Sequence, residues 1–254
     1  MIYNERQLKE LLPREISTLK LFDEIDSTSS AARRYAADGG GVDTALFLAD
    51  SQSGGRGRMG RSFYSPSGAG IYMSLLLPVS KDASDTVLLT CAAAVAVRRA
   101  ILAVTGTDTA IKWVNDLYCG ERKVCGILCE LLSEPRAVII GVGVNLYPSE
   151  LPSEISDVAG ALLNAPSGGV TREALAAAIA KELLNVRREL SSGAFMNEYR
   201  ENSAVLGKEI RYIRDGISQV GLATHINEYG HLYVLDEHGR TQILSSGEIS
   251  VRFK

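Results

Sequence analysis

The sequence predicts an α+β protein in two parts, a unit with a mixed sheet flanked by helices over residues 1–206 and a small antiparallel β-barrel over residues 207–254. In the first part, apolar runs of strand length alternate with helical segments, and several successive strands are joined by tight turns. After residue 206, short alternating runs are separated by glycine turns at Asp215-Gly216, Tyr229-Gly230 and His238-Gly239. Because short strands joined by such turns are typical of small barrels, we place a domain boundary near residue 206.

The elements follow in order from periodicity and capping residues. Asn4 is expected to cap a short helix that Pro13 ends, and the N-cap residues Asp26-Ser27-Thr28-Ser29 precede a second helix predicted over residues 30–37. Longer helices are predicted over residues 85–104 and from Thr171, with a short one over 194–202. Strands of the first part are predicted at residues 19–25, 45–49, 71–77, 109–113, 124–132 and 137–144. Those of the second part are predicted at 210–213, 219–226, 232–235 and 242–244.

The composition excludes several classes of protein. Hydrophobic residues make up 46% and charged residues 22% of the chain, which is ordinary for a globular protein. The formal net charge of −3 provides no overall field toward nucleic acid or an anionic membrane. No segment reaches the run of about 18 apolar residues expected of a membrane span, and the charged N-terminus lacks a signal-peptide core. We therefore expect a cytoplasmic protein without a membrane partner.

The cysteines are expected to be reduced core residues rather than bridges or metal ligands. Cys125 and Cys129 come near a metal-binding spacing, but the residues between them read as a buried strand. Cys91 and Cys119 complete the set, and no histidine lies near any of them in the chain. Thiols in a cytosolic protein of this size stay reduced and pack as small apolar side chains.

Residues 53–63 read SGGRGRMGRSF and contain the dinucleotide-binding spelling G-x-G-x-x-G. A Rossmann turn needs a helix after the glycines, but the residues from Arg61 to Pro66 start a helix poorly. A P-loop is excluded because Gly-Lys-Ser/Thr is missing, and arginine–glycine RNA tails are longer and repeated. Two interpretations stay open. One is a loop whose N–H groups and arginines bind an anion, and the other is a solvated basic turn.

Four further segments carry polar residues at the ends of predicted elements. They are Asp26-Ser27-Thr28, Lys112-Trp113-Val114-Asn115-Asp116, Lys123-Val124-Cys125-Gly126-Ile127-Leu128 and Gly141-Val142-Gly143-Val144-Asn145. Each alone has an ordinary structural explanation, because serine and threonine cap helices and asparagine begins turns. Lysines on hairpins are also common, and a tryptophan is more often a core residue than a ligand platform.

Together and in this order, these segments resemble the biotin–protein ligase family. Its pattern is Asp-Ser-Thr, Gln-x-x-Gly-Arg-Gly-Arg-x-Gly-Arg, Lys-Trp-Pro-Asn-Asp, Lys-x-x-Gly-Ile-Leu, Gly-x-Gly-x-Asn and a final Gly-Glu-Ile-Ser. Here Gln52 precedes the arginine–glycine loop, and residues 247–250 supply the last motif, while Val114 replaces the usual proline. The resemblance covers about residue 20 to the C-terminus. It implies a class II synthetase-like catalytic domain with an SH3-like C-terminal barrel.

The resemblance also implies an activity. Family members activate biotin with ATP to biotinyl-5′-AMP, release pyrophosphate, and transfer biotin to a lysine of the biotin carboxyl carrier protein of a carboxylase such as acetyl-CoA carboxylase, with Mg²⁺ as cofactor. Members that also act as repressors carry an N-terminal DNA-binding domain. Because the resemblance begins near residue 20, we expect the ligase-only type, without a DNA partner. Family members are often dimers, so a homodimer is an open expectation.

Residue roles are implied in the same way. Lys123, Arg56 and Arg58 correspond to catalytic residues, and Asp116 to a Mg²⁺ ligand. Biotin would be bound by Ser27, Thr28, Gln52, Gly55, Arg56, Lys123 and Gly126. ATP and the adenylate would be bound by Arg58, Arg61, Phe63, Lys112, Asn115 and Asn145, with Phe63 stacking on adenine. The loop around Arg58 would be mobile when empty and ordered over the adenylate. Three alternatives stay open: a lipoate–protein ligase, a biotin-responsive repressor and a non-catalytic nucleotide-binding module.

Overall fold

The computed structural model describes residues 3–38, 43–79, 86–166, 169–214, 216–245 and 249–251. The helices within these ranges are α1 (Glu5–Leu11), α2 (Thr28–Ala37), α3 (Thr86–Thr105), α4 (Arg172–Glu189) and α5 (Phe195–Glu201). The strands of the first part are β1 (Thr18–Ile25), β2 (Ala45–Gln52), β3 (Gly70–Pro78), β4 (Ala110–Lys112), β5 (Asp116–Cys119), β6 (Arg122–Leu132) and β7 (Ala137–Asn145). Those of the second part are β8 (Glu209–Arg214), β9 (Ile217–Ile226), β10 (Leu232–Asp236), β11 (Thr241–Leu244) and β12 (Ile249–Val251).

The first part is built on a seven-stranded mixed sheet in the order β1-β2-β3-β7-β6-β5-β4. β1 runs parallel to β2, and the other neighbours pair antiparallel. α3 packs on the sheet together with α4, while α2 contacts β2, β3 and β7. The predicted mixed sheet flanked by helices is confirmed. β3 is buried along nearly its whole length because both faces of the sheet are covered, which explains its unbroken apolar sequence.

α3 is long and apolar because it is a core helix. Its 20 residues reach a mean hydropathy of 2.0 over an 18-residue window, which meets the length and composition of a membrane span. The expectation that no segment is this apolar was therefore wrong. In the structure 67% of that window is buried, since the helix packs between β6, α4 and α5. The predicted start at residue 85 lies outside the described residues.

The second part is a five-stranded antiparallel sheet in the order β11-β10-β9-β8-β12, which fits the expected SH3-like barrel. Its turn at Gly230 reaches back to the first part, where Trp113 Nε1 donates a hydrogen bond to Gly230 O at 2.8 Å. Arg200 of α5 donates to Ile226 O at 2.6 Å. Gly247 and Glu248 of the last family motif lie outside the described residues. The boundary near residue 206 stays a prediction.

Candidate active site

The arginine–glycine segment forms a hairpin that folds back over the sheet. Phe63 N donates to Gly55 O at 2.9 Å, and Gly57 N donates to Arg61 O at 2.7 Å. The tip is a 3-10 turn over Arg58–Gly60 in which Met59 has a φ of 55°. A Cβ at Gly55 would lie 2.3 Å from Phe63 O, so the close approach of the two arms requires glycine there.

A cavity of about 370 Å³ lies beneath this hairpin, between α2, β6 and β7. All of the predicted site residues except Gly55 and Asn145 line it. Gly55 instead sits in the hairpin arm, as described above. Asn145 borders a second cavity of about 110 Å³, which shares Phe63 and Lys123 with the first. The structure therefore brings the motifs to one place, divided by the Phe63 ring.

One end of the large cavity is a neutral hydrogen-bonded network at the start of α2. Gln52 Oε1 accepts from Thr28 N at 2.9 Å and from Thr28 Oγ1 at 3.1 Å. Gln52 Nε2 donates to Ser65 Oγ at 2.8 Å, so this side chain connects the helix to the hairpin. The Oγ atoms of Ser74 and Ser29 are 3.0 Å apart and extend the network. Sequence reasoning missed Ser29, Ser65 and Ser74 as site residues. Ser29 was interpreted only as one of several N-cap residues of α2, and single serines such as Ser65 and Ser74 carry no distinctive pattern.

Asp26, the first residue of the Asp-Ser-Thr motif, does not line the cavity. Both carboxylate oxygens accept from Arg34 at 2.8 Å, and this pair holds the pKa of Asp26 at about 2. Ser27 caps α2 by accepting from Ser30 N. The motif therefore has a structural role, because it fixes the start of α2 whether or not it also contacts a ligand.

Paired glycines explain how Phe63 reaches the sheet. Gly126 of β6 lies opposite Gly143 of β7, and a Cβ at Gly143 would approach the Phe63 ring to 2.5 Å. At Gly126 the corresponding distance to the ring is 3.2 Å. The ring also meets Tyr72 edge to face, with centroids 6.4 Å apart. Glycines in the Lys-x-x-Gly and Gly-x-Gly motifs therefore provide a flat surface for an aromatic ring.

The other end of the cavity is strongly cationic. Among the described lining residues, five basic side chains lie outside the neutral network, namely Arg58, Arg61, Lys112, Lys123 and Arg211, beside a single acidic one, Asp116. Arg56 also lines the cavity, but Glu130 neutralises its charge. Lys123 Nζ lies 2.8 Å from Asp116 Oδ1, an atom that accepts no hydrogen bond of good geometry within the described part of the chain. This imbalance of charge is suited to a polyanionic ligand. Arg211 comes from the second sheet and was not predicted.

The loop between β4 and β5 is held on several sides. Arg58 Nη1 donates to Asn115 Oδ1 at 3.3 Å, and Asn115 Nδ2 donates to Ile127 O at 3.0 Å. Tyr199 OH donates to Val114 O at 3.2 Å. The peptide bond before Val114 is cis, at the position where the family has proline. Nearby, Lys112 Nζ lies 3.2 Å from the hydroxyl of Tyr118, and burial raises the pKa of that tyrosine.

The donors at this end suit Mg²⁺ only if phosphates complete its coordination. No group of three or more His, Cys, Asp or Glu side chains that could hold a metal occurs among the described residues. Mg²⁺ is commonly bound through one or two carboxylates together with substrate phosphates. Asp116, with the amide of Asn115 beside it, fits that arrangement and not an all-protein cage.

The cysteines are free, as predicted. Cys125 and Cys91 are buried, while Cys129 and Cys119 are half-buried. Burial raises the pKa of the Cys129 thiol to about 12, so it stays protonated at neutral pH. The four cysteine side chains pack within the fold, and none of them lines the large cavity.

Comparisons with known proteins agree with this fold. Residues 25–145 match the Biotin/lipoate A/B protein ligase family. A Biotin--[acetyl-CoA-carboxylase] ligase of Mycobacterium tuberculosis is 30% identical over 97% of this chain and 94% of its own length. The Bifunctional ligase/repressor BirA of Bacillus subtilis is 39% identical over 59% of this chain. That alignment spans 47%, about half, of the relative's length.

Among solved structures, the biotin protein ligase from Aquifex aeolicus in complex with biotin and ATP has a TM-score of 0.80 and 28% identity, covering 94% of this chain and all of that one. The fold and the sequence match, over nearly the full length of the mycobacterial relative, define the class. The chain belongs to the biotin–protein ligase family.

Proposed function

We propose that the protein joins biotin to ATP as biotinyl-5′-AMP, releases pyrophosphate, and transfers the biotin to a lysine of a biotin carboxyl carrier protein. The observation that carries this proposal is one cavity with a neutral hydrogen-bonding end and a cationic end. Biotin has a neutral ureido ring at one end and a carboxylate at the other. The cavity therefore matches its polarity from end to end.

The neutral end supports recognition of the ureido ring. That ring offers both donors and acceptors, which require hydroxyl and amide partners. Thr28, Ser27 and Gln52 supply these groups, and the Gln52 bonds to Thr28 and Ser65 fix its orientation. A preoriented network costs less conformational entropy when the ligand binds.

The cationic end supports adenylation. A carboxylate that attacks an α-phosphate brings two anions together, so the site must neutralise charge and hold the groups in line. Lys123 borders both cavities, which supports a role for its ammonium where the carboxylate and the α-phosphate would meet. Asp116 keeps this ammonium oriented through the 2.8 Å ion pair. Arg58, Arg61 and Lys112 would face the remaining phosphate charge.

The second cavity supports binding of the adenine base. Phe63 separates it from the first cavity and offers a face for stacking, and Asn145 lies on its wall. An aromatic face and an amide are the usual partners of a purine. When bound between phosphates, Mg²⁺ supplies further neutralisation of charge, and Asp116 and Asn115 would hold it. We place the reaction in the cytoplasm, where carboxylase carrier proteins are made.

Biotin-dependent exchange of pyrophosphate into ATP tests the proposal. We expect exchange with biotin and Mg²⁺, and none when biotin is replaced by lipoate. Incorporation of biotin into a purified carrier domain tests the second step. Exchange that requires lipoate would favour a lipoate–protein ligase, and binding of ATP without any exchange would favour a non-catalytic module.

A further inference from the structure

The carboxylate of Glu130 on β6 accepts hydrogen bonds from two arginines that belong to different elements. Arg56 of the hairpin donates to its carboxylate through Nη2 at 2.9 Å and Nη1 at 3.3 Å. Arg33 of α2 donates through Nη2 at 2.9 Å. The Glu130 side chain is only 15% exposed, so these charge-assisted hydrogen bonds are partly shielded from water. The resemblance to known ligases assigned no role to Glu130.

Glu130 lies on the strand that forms the floor of the large cavity, shortly after two residues that line it. Gly126, Leu128 and Glu130 lie on the same face of β6, since side chains alternate along a strand. Gly126 and Leu128 line the large cavity, and Glu130 is the next residue on that face. The hairpin is therefore attached to the sheet at two points, with Phe63 on the paired glycines at one and Arg56 on Glu130 at the other.

We propose that Glu130 is a positioning residue that holds the hairpin closed over the cavity by fixing Arg56. Both terminal nitrogens of Arg56 are engaged by this carboxylate, so Arg56 acts as an anchor of the hairpin, and the cations farther along it face the ligand. Without the negative charge, Arg33 and Arg56 would lie beside each other and repel. The consequence for the adenylate rests on the proposed function, but the closing of the hairpin does not.

Limited digestion with trypsin, without any ligand, measures hairpin opening directly. Arg58 and Arg61 are trypsin sites within the hairpin, and a protease must separate several residues around a peptide bond from the fold before it can cut, so the cleavage rate there rises with hairpin opening. We expect Glu130→Gln to be cut at these sites about tenfold faster than the natural protein, from the loss of a charged bidentate contact. Arg33→Gln keeps the Arg56–Glu130 pair and should stay within about twofold of the natural protein.

Two controls separate this role from general stability. Glu189→Gln removes a carboxylate from Arg99 in a different part of the molecule and should leave cleavage at the hairpin unchanged. In an Arg56→Gln background, Glu130→Gln should add little, because residues that act as one pair are not additive. Wild-type cleavage of Glu130→Gln, or a full tenfold effect that persists without Arg56, would overturn the proposal.

Release of biotinyl-adenylate provides the functional readout. An open hairpin should let Glu130→Gln lose the adenylate to solvent about tenfold faster while the rate of its formation at saturating substrates changes less. Faster cleavage by trypsin together with unchanged release would show that Glu130 holds the hairpin closed without retaining the adenylate. That result would overturn the proposed effect of Glu130 on adenylate release. If no adenylate forms even in the natural protein, the proposed function fails while the cleavage result stands.

Discussion

Lys123 pairs with Asp116 where the two cavities meet, and both side chains are largely buried, at 30% and 17% exposed. Partial burial strengthens an ion pair and fixes the direction of the ammonium. The pairing arises because β5 and β6 are neighbours, with Tyr118 opposite Lys123 and Asp116 opposite Gly126. The carboxylate of Asp116 therefore lies beside Lys123 only because β5 pairs with β6 in the folded sheet.

Removal of this lysine should stop adenylation without unfolding the protein. We expect Lys123→Ala to slow biotin-dependent pyrophosphate exchange by about 10²–10³-fold, which is typical for loss of one charge-stabilising group in an active site. Circular dichroism should show an unchanged fold. Lys181→Ala, an exposed lysine on α4, is the control. Exchange at the natural rate in Lys123→Ala would contradict the assignment.

Gly143 tests the stacking surface. A methyl group at this position would lie 2.5 Å from the Phe63 ring, so the ring must move away from the sheet. If Phe63 stacks on adenine, Gly143→Ala should raise the KM for ATP by about tenfold, since stacking of a base on an aromatic ring contributes about 1–3 kcal/mol. The KM for biotin should change less.

Gly169→Ala is the matched control, because a methyl group there meets nothing within 4 Å. Equal changes in the two KM values for Gly143→Ala would argue for a general disturbance of the cavity and against stacking.

Most elements could be predicted from local signals, because caps and periodicity are properties of neighbouring residues. Asn4 and Thr171 cap α1 and α4 as predicted. The short strand β5 and the hairpin after β2 were missed. β5 has only four residues, and its pairing with β4 and β6 is non-local. The segment of the hairpin was expected to be an anion-binding loop or a basic turn, and its glycines were interpreted as room for a phosphate, whereas Gly55 approaches the backbone of Phe63.

The loop between β4 and β5 depends on a contact with the second sheet. Trp113 is buried, and its Nε1 donates to Gly230 O. Trp113→Phe keeps an aromatic ring but removes the donor, which leaves a buried carbonyl oxygen unsatisfied at a cost of about 1–3 kcal/mol. We expect a lower free energy of unfolding in urea and a higher KM for ATP.

The KM for biotin should stay near its natural value in Trp113→Phe, since the neutral end of the cavity lies on α2 and the hairpin. Tyr229→Phe, in the same turn as Gly230 and 54% exposed, is the control. Unchanged stability and KM for ATP would mean that the second sheet does not support this loop.

A buried ion pair connects distant parts of the whole molecule. Arg172 at the start of α4 contacts Asp50 of β2 at 2.5 Å, donates to Gly70 O at 2.9 Å and stacks over the Tyr3 ring at 4.2 Å. Ser67 also donates to Asp50. Burial raises the pKa of Asp50, but the hydrogen bonds from Ser67 and Arg172 outweigh it and hold the pKa below its ordinary value.

This lowered pKa sets a direction for the pH dependence of stability. A carboxyl group with a depressed folded pKa stabilises the fold above its unfolded pKa, about 4, and loses that contribution as pH falls through the folded value. At pH 7, Asp50→Asn should lower the free energy of unfolding by about 3 kcal/mol, because Arg172 stays buried without its partner. The difference from the natural protein should shrink below about pH 4.

Urea unfolding from pH 7 to pH 3 measures this trend. Asp26→Asn is a comparison, because Asp26 also has a lowered pKa, about 2, but pairs with Arg34 at the surface and should cost less. A difference between Asp50→Asn and the natural protein that stays constant with pH would contradict the role of the ionised carboxylate.

The sequence by itself determined most of the elements, the α+β part followed by a small β part, and the motifs that identify the family. These follow from periodicity, caps and the order of residues along the chain, which need no knowledge of what packs against what. Only the tertiary structure decided that Phe63 lies on paired glycines, that Glu130 engages Arg56, and that Asn145 borders a separate cavity. These contacts are made by residues far apart in sequence. They depend on the strand order and register, which are set only when the sheet forms.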